Sequence, residues 1–131
     1  MSTIVISNIK ATGETASRAV SGVAAAWINF NGTGTVAARD SVNVASLTDN
    51  GTANYTVNFS SSFSSANYSF QNGSVTDGTG RGTVLTDDSN SFSILSSSFT
   101  LPYGLTSNAN SAGIVFDDVS HVMNSFHGDL A

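Results

Sequence analysis

The chain has 131 residues, a formal net charge of −5, 40% apolar residues and no cysteine. That length suits one domain with a true core, and the missing cysteines exclude a disulfide framework, a thiolate metal site and a thiol nucleophile. Only 10% of residues are charged and only four are Lys or Arg, so the basic footprint of a nucleic-acid-binding protein is absent.

Residues 1–22 differ from the rest of the chain. They carry Lys10, Arg18 and the only glutamate, Glu14, and have no aromatic residue. Ile4, Ile6 and Ile9 are spaced for a short strand, and 15–20 for one helical turn. The segment is expected to be an N-terminal arm used in assembly or attachment, with Ile4, Ile6 and Ile9 as its contacts. It lacks the basic, then apolar, layout of a signal peptide. No apolar run approaches the ~20 residues that cross a bilayer as a helix, so membrane insertion is not expected.

A single all-β domain is expected over 23–131. The first strand spans 23–30, with Trp27 on one face and Ile28 and Phe30 on the other. Asn31-Gly32-Thr33-Gly34 breaks it with turn residues. A short strand at 35–38 is expected to stop at Arg39-Asp40, and another strand comes next at 42–47. Asp49-Asn50-Gly51 is hairpin chemistry, supplying the positive φ that a tight turn needs. Then 54–59 alternates cleanly, with Tyr55, Val57 and Phe59 inward and Asn54, Thr56 and Asn58 outward.

A serine-rich loop at 60–65 is anchored by Phe63. Short strands are expected at 67–70, 83–86, 91–95 and 114–116, and 119–127 closes the sheet. Asn72-Gly73 and 77–82 read as turn and loop. Short strands at regular spacing, with turn signals between them, indicate an antiparallel β-sandwich of jelly-roll type. Ser, Thr, Asn and Gly make up nearly half the chain, so its polar faces are built from hydroxyls and amides.

Few residues suggest chemistry. Gly78-Thr79-Gly80-Arg81-Gly82 lacks the Lys-Ser/Thr pair and the succeeding helix of a phosphate loop, and reads as a sheet-edge loop. His121 and His127 share a strand face by their even spacing. With no acidic or thiolate ligand at suitable spacing they read as surface or interface residues, and no metal is expected. Asp87-Asp88 and Asp117-Asp118 invite calcium or glycosidase readings, but paired aspartates at strand ends more often form turns and caps. No Gly-x-Ser-x-Gly elbow is present. No catalytic residue and no cofactor is expected.

One stretch carries a resemblance. Ala26-Trp27-Ile28-Asn29-Phe30-Asn31-Gly32-Thr33-Gly34-Thr35-Val36-Ala37 is similar to the opening of a bacteriophage tail-fibre-type virion protein family, found in phages of marine bacteria. The likeness continues through Arg39-Asp40-Ser41, Leu47-Thr48-Asp49-Asn50-Gly51-Thr52, Tyr55-Thr56-Val57-Asn58-Phe59 and Ala66-Asn67-Tyr68. Met1-Ser2-Thr3-Ile4 and Asn8-Ile9 resemble its start. Residues 1–70 carry the match; 71–131 are much looser, and Ser62-Phe63-Ser64-Ser65 replaces a stretch that often holds proline.

The resemblance implies a virion structural protein, a short fibre or spike that attaches to the bacterial host surface. It implies a homotrimer, contacts with other tail or capsid proteins, and a host glycan or protein receptor. It also implies synthesis in the host cytoplasm and residence on the particle surface. Receptor contact is expected in two polar loops, through Asn72, Asp77 and Arg81 in one and Tyr103, Asn108 and Asn110 in the other. A capsid decoration or head-fibre protein is the alternative, and a small glycan-active enzyme is a third reading.

Overall fold

The computed structural model describes residues 3–9, 18–19, 23–75, 83–85, 92–106 and 114–131. Among these residues the regular structure is entirely β. Near the N-terminus, β1 (Asn8–Ile9) pairs antiparallel with β2 (Arg18–Ala19). The helical turn expected over 15–20 is therefore replaced by strand at 18–19. Ile4 and Ile6 precede this pair and are 85% and 52% exposed. Ile9 lies in β1.

Two antiparallel sheets make the sandwich. One contains β3 (Ala24–Asn31), β4 (Ala37–Val42), β7 (Ser69–Val75) and β12 (His121–His127), in the order β4-β3-β12-β7. The other is built on β5 (Val44–Gly51), β6 (Asn54–Phe59) and β10 (Ser98–Thr106). The first half of β10 lies between β6 and β9 (Ser93–Ile94). Its second half extends onward between β8 (Thr83–Leu85) and β11 (Ile114–Phe116).

Alternation decides which side chains meet between the sheets. Ala26, Ile28 and Phe30 enter from β3, and Val122 and Phe126 from β12; Tyr55, Val57 and Phe59 enter from β6, and Phe99 and Leu101 from β10. Aromatic rings cross the interface. Phe126 lies 5.0 Å from Phe59 and 5.1 Å from Phe99 between centroids, both nearly edge-on. Phe30 meets Tyr55 edge-on at 5.2 Å. These arrangements place the positive ring edge on a negative face. Phe63, in the serine-rich loop, is buried and stacked on Tyr68 at 4.4 Å.

The chain changes sheets between β4 and β5 at Asn43, whose φ is 57°. Asparagine tolerates this left-handed conformation better than most residues. Its side chain then secures the corner: Ser61 N–H donates to Asn43 Oδ1 at 2.8 Å, and Asn43 Nδ2 donates to Ser61 O at 3.1 Å. Asn43 O also accepts from Ser60 N–H at 3.1 Å. Asp49, Asn50 and Gly51 end β5 at a bulge instead of forming the turn, which falls at Thr52-Ala53, where Ala53 has φ 58°. Gly51 has φ 122°, and Asp49 Oδ1 accepts from Gly51 N–H at 2.9 Å.

Four further expectations are corrected. Arg39 and Asp40 do not end a strand; they lie inside β4, at a bulge opposite Asn29 and Phe30. Asn72 and Gly73 are not a turn but lie within β7. Tyr103 is not in a loop, because Ser98–Thr106 is one continuous strand. Pro102 hides that strand in the sequence, since proline cannot donate a ladder bond. Phe59 N–H donates to Ser97 O, so by two-residue alternation Pro102 N faces away from β6. Among the described residues, its position lies between the pairings of β9 and β8. The fourth is the helical turn replaced at β2.

Candidate functional site

The outer face of the β4-β3-β12-β7 sheet carries a groove of about 410 Å³. This lies within the usual range of small-molecule sites, about 300–1,000 Å³. Its walls are set by strand register. Trp27 in β3 sits opposite Ser125 in β12, which sits opposite Gln71 in β7. The adjacent outward row runs Asn29, Met123 and Gly73. Because side chains alternate, these six share the face opposite the core.

Gly73 lowers one wall. A Cβ there would come 3.7 Å from Met123 Cε, an ordinary contact, so glycine leaves the space between Gln71 and Met123 open. Trp27 is half-buried and is the chain's only tryptophan. It lies in the outward phase of an otherwise amphipathic strand, which is the one sequence signal for this site. No local pattern shows that Gln71 and Ser125 become its neighbours, since β12 enters between β3 and β7 from the far end of the chain.

The lining is uncharged: an indole, a thioether, amides and a hydroxyl. Gln71 is exposed and its side-chain amide bonds to no described residue. Ser125 Oγ is 3.3 Å from His127 Nε2. At the end nearest β4, Arg39 donates to Asn29 Oδ1 at 3.4 Å and to Ser120 O at 2.7 Å. Amides supply both donors and acceptors, and the indole supplies an electron-rich face. The arrangement therefore suits a ligand with hydroxyls and an apolar face. Among the described residues it contains no nucleophile–base–orienter chain.

Of the residues expected to contact a receptor, Asn72 and Tyr103 fall among the described residues. Asn72 lies in β7 opposite Asn124, and its Oδ1 is buried with no hydrogen-bond partner among the described residues. It borders the groove from between the outward positions. Tyr103 pairs with Leu85 at the extended half of β10. Asp77, Arg81, Asn108 and Asn110 lie outside the described residues, as do Asp87 and Asp88.

His121 and His127 share β12 but stand about 20 Å apart by strand rise. Each is beside a serine, His121 Nδ1 lying 3.2 Å from Ser120 Oγ. Asp117 bonds its own neighbour, whereas Asp118 ties its segment to the start of β6. Asp117 Oδ1 accepts from Asp118 N–H at 2.9 Å, and Asp118 Oδ1 accepts from Ala53 N–H at 2.8 Å. Among the described residues, no three His or acidic side chains cluster as a metal site.

Burial pushes the Tyr68 hydroxyl up to about 12. It lies 3.2 Å from Leu95 O and 3.3 Å from Ser98 O, two acceptors that would repel a phenolate. This tyrosine belongs to the core, remote from the groove. No helix among the described residues is long and apolar enough to cross a membrane. No protein-family model, curated protein or solved structure matches this chain.

Proposed function

We infer that this chain is a phage virion structural protein, a tail-fibre or spike component that attaches to the bacterial surface. The attaching face is the outer side of the β4-β3-β12-β7 sheet. The observation that carries this reading is the groove itself: a lone tryptophan, with amides and a hydroxyl beside it, on the solvent side of a rigid sheet. The resemblance of residues 1–70 to tail-fibre-type proteins supports the virion setting. The reading assigns a binding and structural role and no reaction, and needs no cofactor.

A disulfide-free sandwich with few Lys or Arg residues suits a particle exposed to proteases outside the cell. Assembly as a homotrimer is part of the reading. Ile4 and Val5, 85% and 92% exposed, are side chains that a neighbouring subunit would cover. Light scattering should return three times the chain mass of 13.4 kDa.

The test uses the phage that encodes the chain. Purified protein should compete with virions for adsorption, and Trp27→Ala protein should not. Gold-labelled antibody should decorate the tail tip. Label over the head would replace the tail assignment by capsid decoration. Failure of the wild-type protein to bind host cells or slow adsorption would refute attachment.

A further inference from the structure

We propose that the groove binds an uncharged saccharide, with a sugar ring stacked on Trp27 and its hydroxyls held by Gln71, Asn29 and Ser125. This rests on the reading of the sheet face as the attaching surface, and goes beyond it by naming the chemistry of the ligand. The first argument is geometric. Trp27 and Gln71 are separated by one strand, β12, and so by roughly 10 Å. That span takes a short run of sugar units laid across the strands, with Ser125 beneath it.

The second argument is complementarity. The C–H face of a pyranose is apolar and weakly positive, which matches the negative face of an indole. Its equatorial hydroxyls both donate and accept, as the Gln71 and Asn29 amides do. Met123 supplies a polarizable side wall that adapts to irregular shapes.

The third argument concerns charge. None of the groove-lining side chains is ionised. Among the described residues, the cation beside the groove, Arg39, is bonded to Ser120 O and Asn29 Oδ1, and Asp40 stands opposite Asn29 on the neighbouring strand. A carboxylate or sulfate on the ligand would lose its water without gaining a dedicated counter-ion among the described residues, which is unfavourable. An uncharged saccharide carries no such penalty.

Trp27 is the sole tryptophan, so its fluorescence reports the groove alone. The full-length protein is titrated with neutral gluco-, galacto-, manno- and rhamno-oligosaccharides. Oligomannuronate and sialylated oligosaccharides form the acidic arm. At least one neutral oligomer should shift the emission, and calorimetry should confirm binding. Gln71→Ala should weaken that binding about fivefold, the effect of one hydrogen bond. Trp27→Ala, tested by calorimetry, should weaken it at least tenfold, as for a buried aromatic anchor. Asn58→Ala, on the outer face of the other sheet, should leave it unchanged. Melting curves establish that each variant is folded.

Absence of any response to the neutral panel overturns the proposal. So does neutral binding that Gln71→Ala and Trp27→Ala leave intact in folded protein. Preference for the acidic arm overturns the uncharged class and leaves the attaching face standing. If no saccharide binds yet Trp27→Ala still abolishes adhesion to cells, the saccharide fails and the face survives. If adhesion is also unchanged, both readings fail.

Discussion

Replacing Tyr55 by Phe removes one oxygen from a buried junction of three chain segments. The Tyr55 hydroxyl lies 2.8 Å from both Gly32 O and Asp118 Oδ1, and shares its single hydrogen between them. The side chain is only 2% exposed, so water does not replace the lost partner without rearrangement. A hydrogen bond to a charged group contributes about 1.5–3 kcal/mol. Asp118 Oδ1 keeps the Ala53 N–H at 2.8 Å, which places Tyr55→Phe near the middle, about 2 kcal/mol. For 131 residues the unfolding entropy is roughly 0.28 kcal/mol per degree, so Tm should fall by about 7 °C.

Gly32 supplies the second arm. A Cβ there would lie 2.7 Å from Tyr55 Oη and 2.7 Å from Val119 O, closer than real contacts allow. Gly32→Ala should therefore cost about 1–3 kcal/mol through forced displacement. In Tyr55→Phe protein one of the two clashes is gone, so the same change should cost about 1 kcal/mol less, a coupling typical of touching residues. Thermal melts of the two single variants and the double variant measure all of these terms. A Tyr55→Phe Tm within about 1 °C of wild type, or strictly additive losses, would refute the reasoning.

Three further outcomes are expected. Asn43→Ala should lose both side-chain bonds to Ser61 and add left-handed strain, about 2–3 kcal/mol in all; Asn43→Gly should lose less, and urea denaturation ranks the two. Phe126→Ala should cost about 3–5 kcal/mol, whereas Met123→Ala on the outer face should cost under about 1 kcal/mol; equal losses would mean the strand faces are misassigned. Tyr68 has a folded value of about 12 against 10 in the free side chain. Between these values the folded chain keeps a proton that the unfolded chain releases, so its contribution to stability is complete below 10 and falls as pH rises toward 12. Ultraviolet titration should show a tyrosine ionising late, together with unfolding; full ionisation near pH 10 in folded protein would contradict this.

Strands whose two faces differ in polarity were legible from sequence. β6 reads directly as Tyr55, Val57 and Phe59 against Asn54, Thr56 and Asn58, because one face is sealed in the core and the other is wet. β11 appears with the bounds expected, and Asp49-Asn50-Gly51 announces the β5–β6 hairpin, although those residues extend β5 and the turn falls just beyond, at Thr52-Ala53. The longest described strand, β10, was not legible: Pro102 and Gly104 interrupt its local pattern, and proline is tolerated on the β6 ladder because its nitrogen faces away from β6. Nor was Asn72-Gly73 legible as strand, since turn-type residues also serve where a sheet face must stay shallow.

The outward phase of Trp27 is written in the alternation of β3, and its setting is not. Local sequence determines which way a side chain points, because pleating has a period of two residues. It does not determine which strand lies alongside. β12 separates β3 from β7 and brings Ser125, Met123 and Gln71 to Trp27 across nearly the whole chain. Periodicity and turn chemistry thus settled the all-β class and most of the core. The groove was decided only by tertiary pairing, because ladder hydrogen bonds are the same whatever the side chains, and the choice of partner rests on how both sheets close over one core.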